Sequence, residues 1–341
     1  MAIYFPLLRW KQGERGALEN LFPETKDKIC PIIEFPANLE YSDRKVADFC
    51  NNAISDWGIN RPFYIDLTTI NYSGIPDGAT HPALTLLRNA RLQGLLAIPV
   101  LTLDMDLNLM SAIQQAYTEE CFWNLAFRVI EDSENDAQND IFQIIDDFGI
   151  EITSVDLLID LCDVSTGSLR TRIRGLSGLI GEFSSNYRRT IVLSGAIPND
   201  IGIDTDNSGR IPRNDWRLWI QARQNESLKH ILFGDYTTIS CEFREVQYQG
   251  APKIKYTLND EWYIIKGHKP RGRDNQRTEH ARTLITSGFF RGAQNSFGEL
   301  RIQQCANGTW GPGNATNWVS NDVNQHITFV VSQVSAILAA P

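Results

Sequence analysis

The feature that most constrains this chain is an apolar run of strand length that closes on a carboxylate and then recurs. Val155-Asp156-Leu157-Leu158-Ile159-Asp160-Leu161-Cys162 is the longest example, and Phe63-Tyr64-Ile65-Asp66 and Ile231-Leu232-Phe233-Gly234-Asp235 are built alike. Pro31-Ile32-Ile33-Glu34 and Pro99-Val100-Leu101-Thr102 are looser versions. These runs lack the strict alternation of a half-exposed antiparallel sheet. They suit strands covered on both faces, as in a parallel sheet between helices.

Segments of helical spacing lie between them. After Ser42-Asp43, the residues Val46, Phe49, Cys50, Ile54 and Trp57 share one helical face, and Gly58 ends the helix. Leu169, Ile173, Leu176, Leu179 and Ile180 repeat the pattern. In order, strands are expected within 3–10, 29–35, 63–67, 96–103, 122–130, 155–162, 190–194 and 230–235, one per ~25 to 40 residues, the length of a βα unit. Eight such units are what a (β/α)8, TIM-like barrel requires, and residues 1–236 would form it. An open doubly wound sheet shows the same alternation and is the alternative. Pairing of the eighth strand with the first would decide between them.

From Thr237 onward the rhythm breaks. The stretches 253–258 and 261–266 flank Asn259-Asp260 and read as a β-hairpin. A helix over 278–286, a turn-rich segment through Asn317 and a final apolar helix over 327–338 follow. Residues 237–341 are expected to be an elaboration packed on the barrel within the same domain, because their apolar content looks too small for a separate core. Gly195 to Arg210 reads as a long loop, and Pro23 as the end of the first helix.

Composition excludes some classes of function. In 341 residues the formal charge is −9, which argues against an extended nucleic-acid-binding face. No run approaches the ~18 apolar residues of a membrane span, and the segment from Met1 to Lys11 is too short and too soon charged for a signal peptide. The six cysteines, Cys30, Cys50, Cys121, Cys162, Cys241 and Cys305, form no C-x-x-C pair. Free, largely buried thiols and a reducing cytoplasm are expected.

In parallel barrels, function sits at the carboxyl ends of the strands. The expected strand ends place Arg9 or Lys11, Glu34, Asp66, Asp104, Arg128, Asp160, Ser194 and Asp235 around the mouth. Glu34, Asp66, Asp160 and Asp235 are the candidate catalytic carboxylates, and Arg9, Lys11 and Arg128 the candidate ligand-binding cations. Such a ring has the hard oxygens that a divalent cation such as Mg2+ takes, or an acid and a base for proton transfer. The competing role is structural, because a strand-end Asp also caps the turn that follows. Lys266-Gly267-His268-Lys269-Pro270-Arg271-Gly272-Arg273 is the one basic cluster, and Lys266, His268 and Arg271 suit phosphate. Neither a Walker A nor a G-x-G-x-x-G sequence occurs. The lack of H-x-x-x-H, H-E-x-x-H and G-x-S-x-G argues against a dedicated metal centre and against covalent hydrolysis.

Two ends of the chain carry a resemblance. Tyr4-Phe5-Pro6-Leu7-Leu8-Arg9-Trp10-Lys11-Gln12-Gly13-Glu14 with Pro31-Ile32-Ile33-Glu34, and Ser296-Phe297-Gly298-Glu299, Trp318 and Asn324-Gln325-His326-Ile327-Thr328, resemble the Beta protein family of phages and bacteria. The resemblance spans nearly the whole chain and implies a phage or prokaryotic setting, with a role in phage–host conflict. It adds weight to Trp318, Asn324 and His326 as site candidates. Where the family resemblance implies a histidine pair, this chain has Gln325-His326, which argues against two-histidine chemistry.

Two functions are therefore expected to compete. One is a barrel mouth that binds a small phosphorylated or nucleotide-like ligand, with hydrolysis as one outcome. The other is a protein-interaction platform whose contact surface is the aromatic tail, including Trp262, Tyr263, Phe289, Phe290, Phe297, Trp310 and Trp318. The sharpest expectation is geometric: Asp66, Asp160 and Asp235 should line one cavity with Arg9, Lys11 or Arg128 and with Lys266 or His268.

Overall fold

The computed structural model describes residues 2–35, 43–70, 72, 78–130, 137–242, 250–269 and 276–339. Within these the strands are β1 (Tyr4–Leu8), β2 (Ile32–Glu34), β3 (Pro62–Asp66), β4 (Leu96–Leu101), β5 (Leu125–Ile130), β6 (Val155–Asp163), β7 (Arg189–Gly195), β8 (Asn207–Pro212), β9 (Leu232–Asp235), β10 (Lys253–Thr257) and β11 (Glu261–Lys266). The helices are α1 (Gln12–Glu19), α2 (Pro23–Lys26), α3 (Asp43–Asp56), α4 (Pro82–Leu92), α5 (Leu107–Thr118), α6 (Ala137–Phe148), α7 (Leu169–Glu182), α8 (Asn214–Ala222), α9 (Gln276–Thr286), α10 (Phe297–Ala306) and α11 (Ala315–Ala339).

Strands β1 to β7 and β9 form a closed parallel barrel. Its last strand ladders to its first, with Tyr4 opposite Phe233 and Pro6 opposite Asp235. This closure excludes the open doubly wound sheet. The apolar runs are covered on both faces, as their lack of alternation requires. One buried cluster (Phe5, Leu7, Ile32, Tyr64, Val100, Leu158, Ile191, Leu193) fills the barrel, and a larger one (including Tyr4, Leu8, Ile33, Ile65, Phe127, Ile159 and Phe233) packs under the helices. Gly234 is small because it must be: a Cβ there would lie 2.4 Å from Leu193 and 2.9 Å from the Phe5 carbonyl.

Several sequence expectations are corrected. The loop expected from Gly195 to Arg210 ends in β8, which pairs antiparallel with β11 and turns the hairpin into a three-stranded sheet. Pro23 opens α2 instead of closing α1, since the first turn of a helix tolerates a residue without an N–H. The final helix starts at Ala315, about three turns before the apolar run from Ile327, because its first half buries polar residues such as Asn321, Asn324 and Gln325.

The tail holds a buried cluster of its own, including Ile254, Tyr256, Ile265, Leu284, Ile302, Cys305 and Trp318. Its attachment to the barrel runs through α11. Ile327, Val330 and Val334 join the outer core of the barrel. On α1, Gly13 admits α11 closely, since a Cβ there would stand 2.8 Å from Val319. Asn324 donates to the Ala17 carbonyl at 3.0 Å and accepts from the Gly298 amide at 2.9 Å, tying α11 to α1 and to α10. Ser296 caps α10, accepting from the Glu299 amide at 3.1 Å while its hydroxyl donates to the Glu299 carboxylate at 2.9 Å. Among the described residues no helix is long and apolar enough to cross a membrane.

Candidate functional site

Successive side chains on a strand point to opposite faces, so the residues that end the barrel strands divide into two sets. Arg9, Glu34, Asp66, Arg128, Asp160 and Tyr236 follow the inward parity of Leu7, Ile32, Tyr64, Ala126, Leu158 and Gly234. They meet on the barrel axis, at the carboxyl end.

Arg128 organises them. Its Nη1 donates to Glu34 Oε1 and to Asp66 Oδ2, both at 2.9 Å. Its Nε and Nη2 donate to Asp160 Oδ2 at 2.9 and 2.6 Å. The Tyr236 hydroxyl donates to the same oxygen at 2.6 Å and accepts from Arg128 Nη2 at 2.9 Å. Arg9 Nε donates to Glu34 Oε2 at 3.3 Å, and its Nη2 to the Cys241 carbonyl. Asp160 is fully buried and the Asp66 side chain 1 % exposed, while those of Glu34 and Arg128 keep 13 % and 10 % exposure. Burial alone would lower the Arg128 pKa; Asp160, Tyr236, Asp66 and Glu34 outweigh it and raise it well above the usual value. Burial, then the Asp160 charge, raises the Tyr236 phenol well above its usual range.

Each strand-end aspartate also performs the structural task weighed against catalysis. Oδ1 accepts the amide two residues on: Thr68 for Asp66 at 3.0 Å, Cys162 for Asp160 at 2.9 Å, Thr237 for Asp235 at 3.0 Å. Cys162 and Thr237 sit at φ 50° and 52°, a left-handed conformation that this local acceptor steadies. Oδ2 is then left for a charged or polar partner.

Asp235 departs from the expected constellation. Gly234 takes the inward position, so Asp235 faces out beneath α11, on the other side of the sheet from Asp66 and Asp160. There it accepts from the Tyr4 hydroxyl at 2.6 Å, and its Oδ2 lies 2.9 Å from His326 Nε2. His326 Nδ1 is 3.0 Å from the Thr257 hydroxyl, and Trp262 stacks on the imidazole at 4.8 Å. Burial lowers the His326 pKa, against the charge and hydrogen bond of Asp235, which raise it. A carboxylate oxygen can only accept, so Nε2 carries the proton between them. Burial would raise the Asp235 pKa, but His326 and the Tyr4 hydroxyl together hold it below the usual range. His326 thus joins tail to barrel and does not reach the mouth. Gln325 is spent likewise, its amide bridging Lys255 O at 3.0 Å and Thr257 Oγ1 at 3.2 Å.

The other proposed ligand-binding residues are also placed elsewhere. Lys11 is exposed at the start of α1 and does not line the mouth cavity. Lys266 Nζ donates to the Ile203 carbonyl, and His268 Nδ1 faces Asp206 at 2.7 Å on the surface. Lys266 ends β11 and His268 follows it, and neither lines the mouth cavity. Arg271 lies outside the described residues. Trp262, Tyr263 and Trp318 are buried, leaving Phe289, Phe290, Phe297 and Trp310 half-buried in the aromatic tail.

Above Arg128 opens a cavity of about 1140 Å3 that runs outward between α4 and α5. Glu34, Asp66 and Arg128 form its floor, and Thr68, Thr69, Thr80, Thr102 and Ser111 contribute hydroxyls. Asp104 and Asp106 stand on the rim with Arg88, which is already paired with Glu119 at 2.5 Å. His81 Nδ1 accepts from the Ala83 amide at 3.2 Å, which leaves Nε2–H as a donor, and burial keeps this histidine below its usual pKa. Tyr236, Thr68, Thr102 and His81 escape the sequence reading; inward parity would have found Tyr236 and Thr102. A divalent cation such as Mg2+ needs the carboxylate oxygens turned onto one point, and the Arg128 guanidinium holds that point. Among the described residues no group of three or more acidic, histidine or cysteine side chains is arranged to hold a metal.

Fold and mouth together define a (β/α)8-barrel protein with a charged, arginine-centred floor under an open cleft. The chain belongs to the Beta protein family, whose model matches residues 4–332. It is similar to Protein beta of Enterobacteria phage P4, 23% identical over 344 residues, covering 95% of this chain and 91% of that one. Among solved structures it is similar to active domain 2 of a thermostable chitinase from Pyrococcus furiosus. That match has a TM-score of 0.41 and 12% identity over 69% of this chain and 83% of the other. It is also similar to 3-dehydroquinate dehydratase from Enterococcus faecalis, with a TM-score of 0.34 and 12% identity over 58% and 80%.

Proposed function

We propose that the barrel mouth is a recognition site for a small, hydroxyl-rich ligand that carries no negative charge. The observation that carries this reading is the Arg128 floor: one guanidinium fixes Glu34, Asp66 and Asp160 beneath a cleft lined with threonine hydroxyls. The cavity lining sets four carboxylates against two guanidiniums, and Arg88 is already neutralised. A phosphate would meet net negative potential there, and the basic residues that favoured phosphate, Lys266 and His268, do not line the cavity. Hydroxyl groups suit what the cleft leaves open: the Asp104 carboxylate as acceptor, the His81 Nε2–H as donor, and threonine hydroxyls that act as either.

Recognition is favoured over proton transfer because Glu34 has a guanidinium on each oxygen, Arg128 on Oε1 and Arg9 on Oε2. Its lone pairs are engaged before a ligand arrives. In the phage setting of the family, we place this recognition in the contest between phage and host.

The test is a thermal-shift and calorimetric screen of the full chain against neutral and amino sugars, polyols, nucleotides and inorganic phosphate. A sugar or polyol should raise the melting temperature, and Thr102→Val with Asp104→Ala, two changes at the cleft, should abolish the effect. Stabilisation by nucleotides or phosphate would overturn the ligand class. Silence across the whole screen would favour a protein-interaction role.

A further inference from the structure

The amino end of the barrel carries a second, smaller cavity of about 210 Å3. Its walls include Leu95, Ile98, Cys121, Phe122 and Trp123, with Arg188 and Arg189 at one side. The charges beneath it do not balance. Asp156 is the fully buried carboxylate on the inward face of β6, and both of its oxygens accept from Arg188. The Tyr64 hydroxyl adds a third hydrogen bond to it at 2.6 Å. Arg189, the inward residue at the start of β7, is left with a 3.4 Å contact to Tyr64 Oη and a 3.9 Å approach to Asp156. Its Nε is buried with no hydrogen-bond partner among the described residues. One carboxylate therefore answers two guanidiniums, and the surplus cation lies against the Phe5 ring, 5.8 Å from its centroid.

A buried donor of a charged group is costly to leave unmade, and a carboxylate is its best complement. We propose that this cavity binds a small apolar carboxylic acid, aromatic or branched, whose carboxylate pairs with Arg189 and whose hydrocarbon lies against Leu95, Ile98 and Phe122. The volume equals about seven waters at ~30 Å3 each, the size of one small organic acid. A second cavity, of about 490 Å3, shares Arg189 and Pro62 and adds Lys26 and Arg61, so the approach on that side is also cationic, with Asp27 paired to Arg61. This site lies at the opposite end of the barrel from the proposed ligand cleft, and the two stand or fall separately.

The test is saturation-transfer NMR on the full chain with benzoate and isovalerate, each beside its amide and beside acetate, at millimolar concentration. Both acids should bind, with the amides and acetate weaker by about tenfold or more. Arg189→Gln should remove binding while the far-UV spectrum stays native. If that variant does not fold, Asn124→Trp, which places a large ring at the cavity wall, should block the acids instead. The proposal is overturned if neither acid binds, if the amides match the acids, or if binding survives in a folded variant. It is equally overturned if acetate or chloride competes as well as benzoate, since the apolar wall would then play no part.

Discussion

His326 Nε2 lies 2.9 Å from Asp235 Oδ2, so a side chain of the final helix completes the environment of the last barrel strand. Both side chains are at most 1 % exposed. His326→Ala should therefore destabilise the protein by about 3 to 5 kcal/mol, the range for stripping one partner from a buried pair. Chemical denaturation of this variant beside Asp235→Asn and the double mutant gives the coupling. Additive losses would show that the two do not act as a unit.

Removing the arginine at the mouth has a different signature. Arg128→Leu leaves Glu34, Asp66 and Asp160 facing one another, and the cost should exceed about 3 kcal/mol at neutral pH. Protonated carboxyls need no cation, so this deficit should shrink on acidification towards pH 4. Melting temperatures of wild type and variant across that range check the trend; a constant gap would rule out charge repulsion as its origin.

Asp215, in the first turn of α8, is 1 % exposed and its Oδ1 has no partner among the described residues. Burial pushes its pKa up to about 7, against the Arg213 charge, which works the other way. The folded value therefore exceeds the unfolded one of ~3.9. Below that value both states are protonated and the contribution is intact. As pH rises towards 7, the unfolded chain releases the proton first and the contribution is lost. Relative to Asp215→Asn, the wild type should lose about 1 to 4 kcal/mol between pH 4 and 8. Urea titrations at several pH values measure it, and parallel stability curves for the two proteins would contradict the assignment.

The contact between α10 and α11 leaves no room at Gly298, where a Cβ would fall 2.3 Å from the Asn321 carbonyl oxygen. Gly298→Ala should cost about 1 to 3 kcal/mol by forcing the helices apart. Thermal denaturation reads it; an unchanged midpoint would mean that α10 shifts freely.

Because Ile327, Val330 and Val334 sit in the outer core of the barrel, the tail is expected to behave as part of the barrel's domain despite its own small cluster. Limited proteolysis should yield no stable fragment beginning near Thr237. Recovery of one would divide the chain in two.

The barrel was legible because an uninterrupted apolar strand such as Leu157 to Ile159 has no stable home except between two covered faces. Eight such strands were consistent with closure and with an open sheet alike, and the ladder between β9 and β1 decides for closure. The site was legible only in half. Glu34, Asp66, Arg128 and Asp160 converge because each takes the inward parity, whereas Asp235, with the same aliphatic-Asp ending, comes one residue out of phase behind Gly234. A run without alternation carries no record of which face is which, so the ending alone cannot give the direction. β8 was missed for another reason: Asn207-Ser208-Gly209-Arg210 has turn composition and becomes a strand only because β11 supplies a ladder. The motif residues Asn324 and His326 drew attention as site candidates, and their polar atoms, like those of the neighbouring Gln325, are used in holding helices and sheets together.

The bond from Asn324 to the Ala17 carbonyl spans 307 positions of sequence. During synthesis the inner face of α1 leaves the ribosome early, and the helix that covers it arrives only after roughly 15 to 60 s at ordinary elongation rates. For that interval the nascent barrel carries an uncovered seam beside its first strand. The protein is therefore most vulnerable to misassembly before α11 is made, and a premature stop within α11 should yield an insoluble product even though all eight barrel strands have been translated.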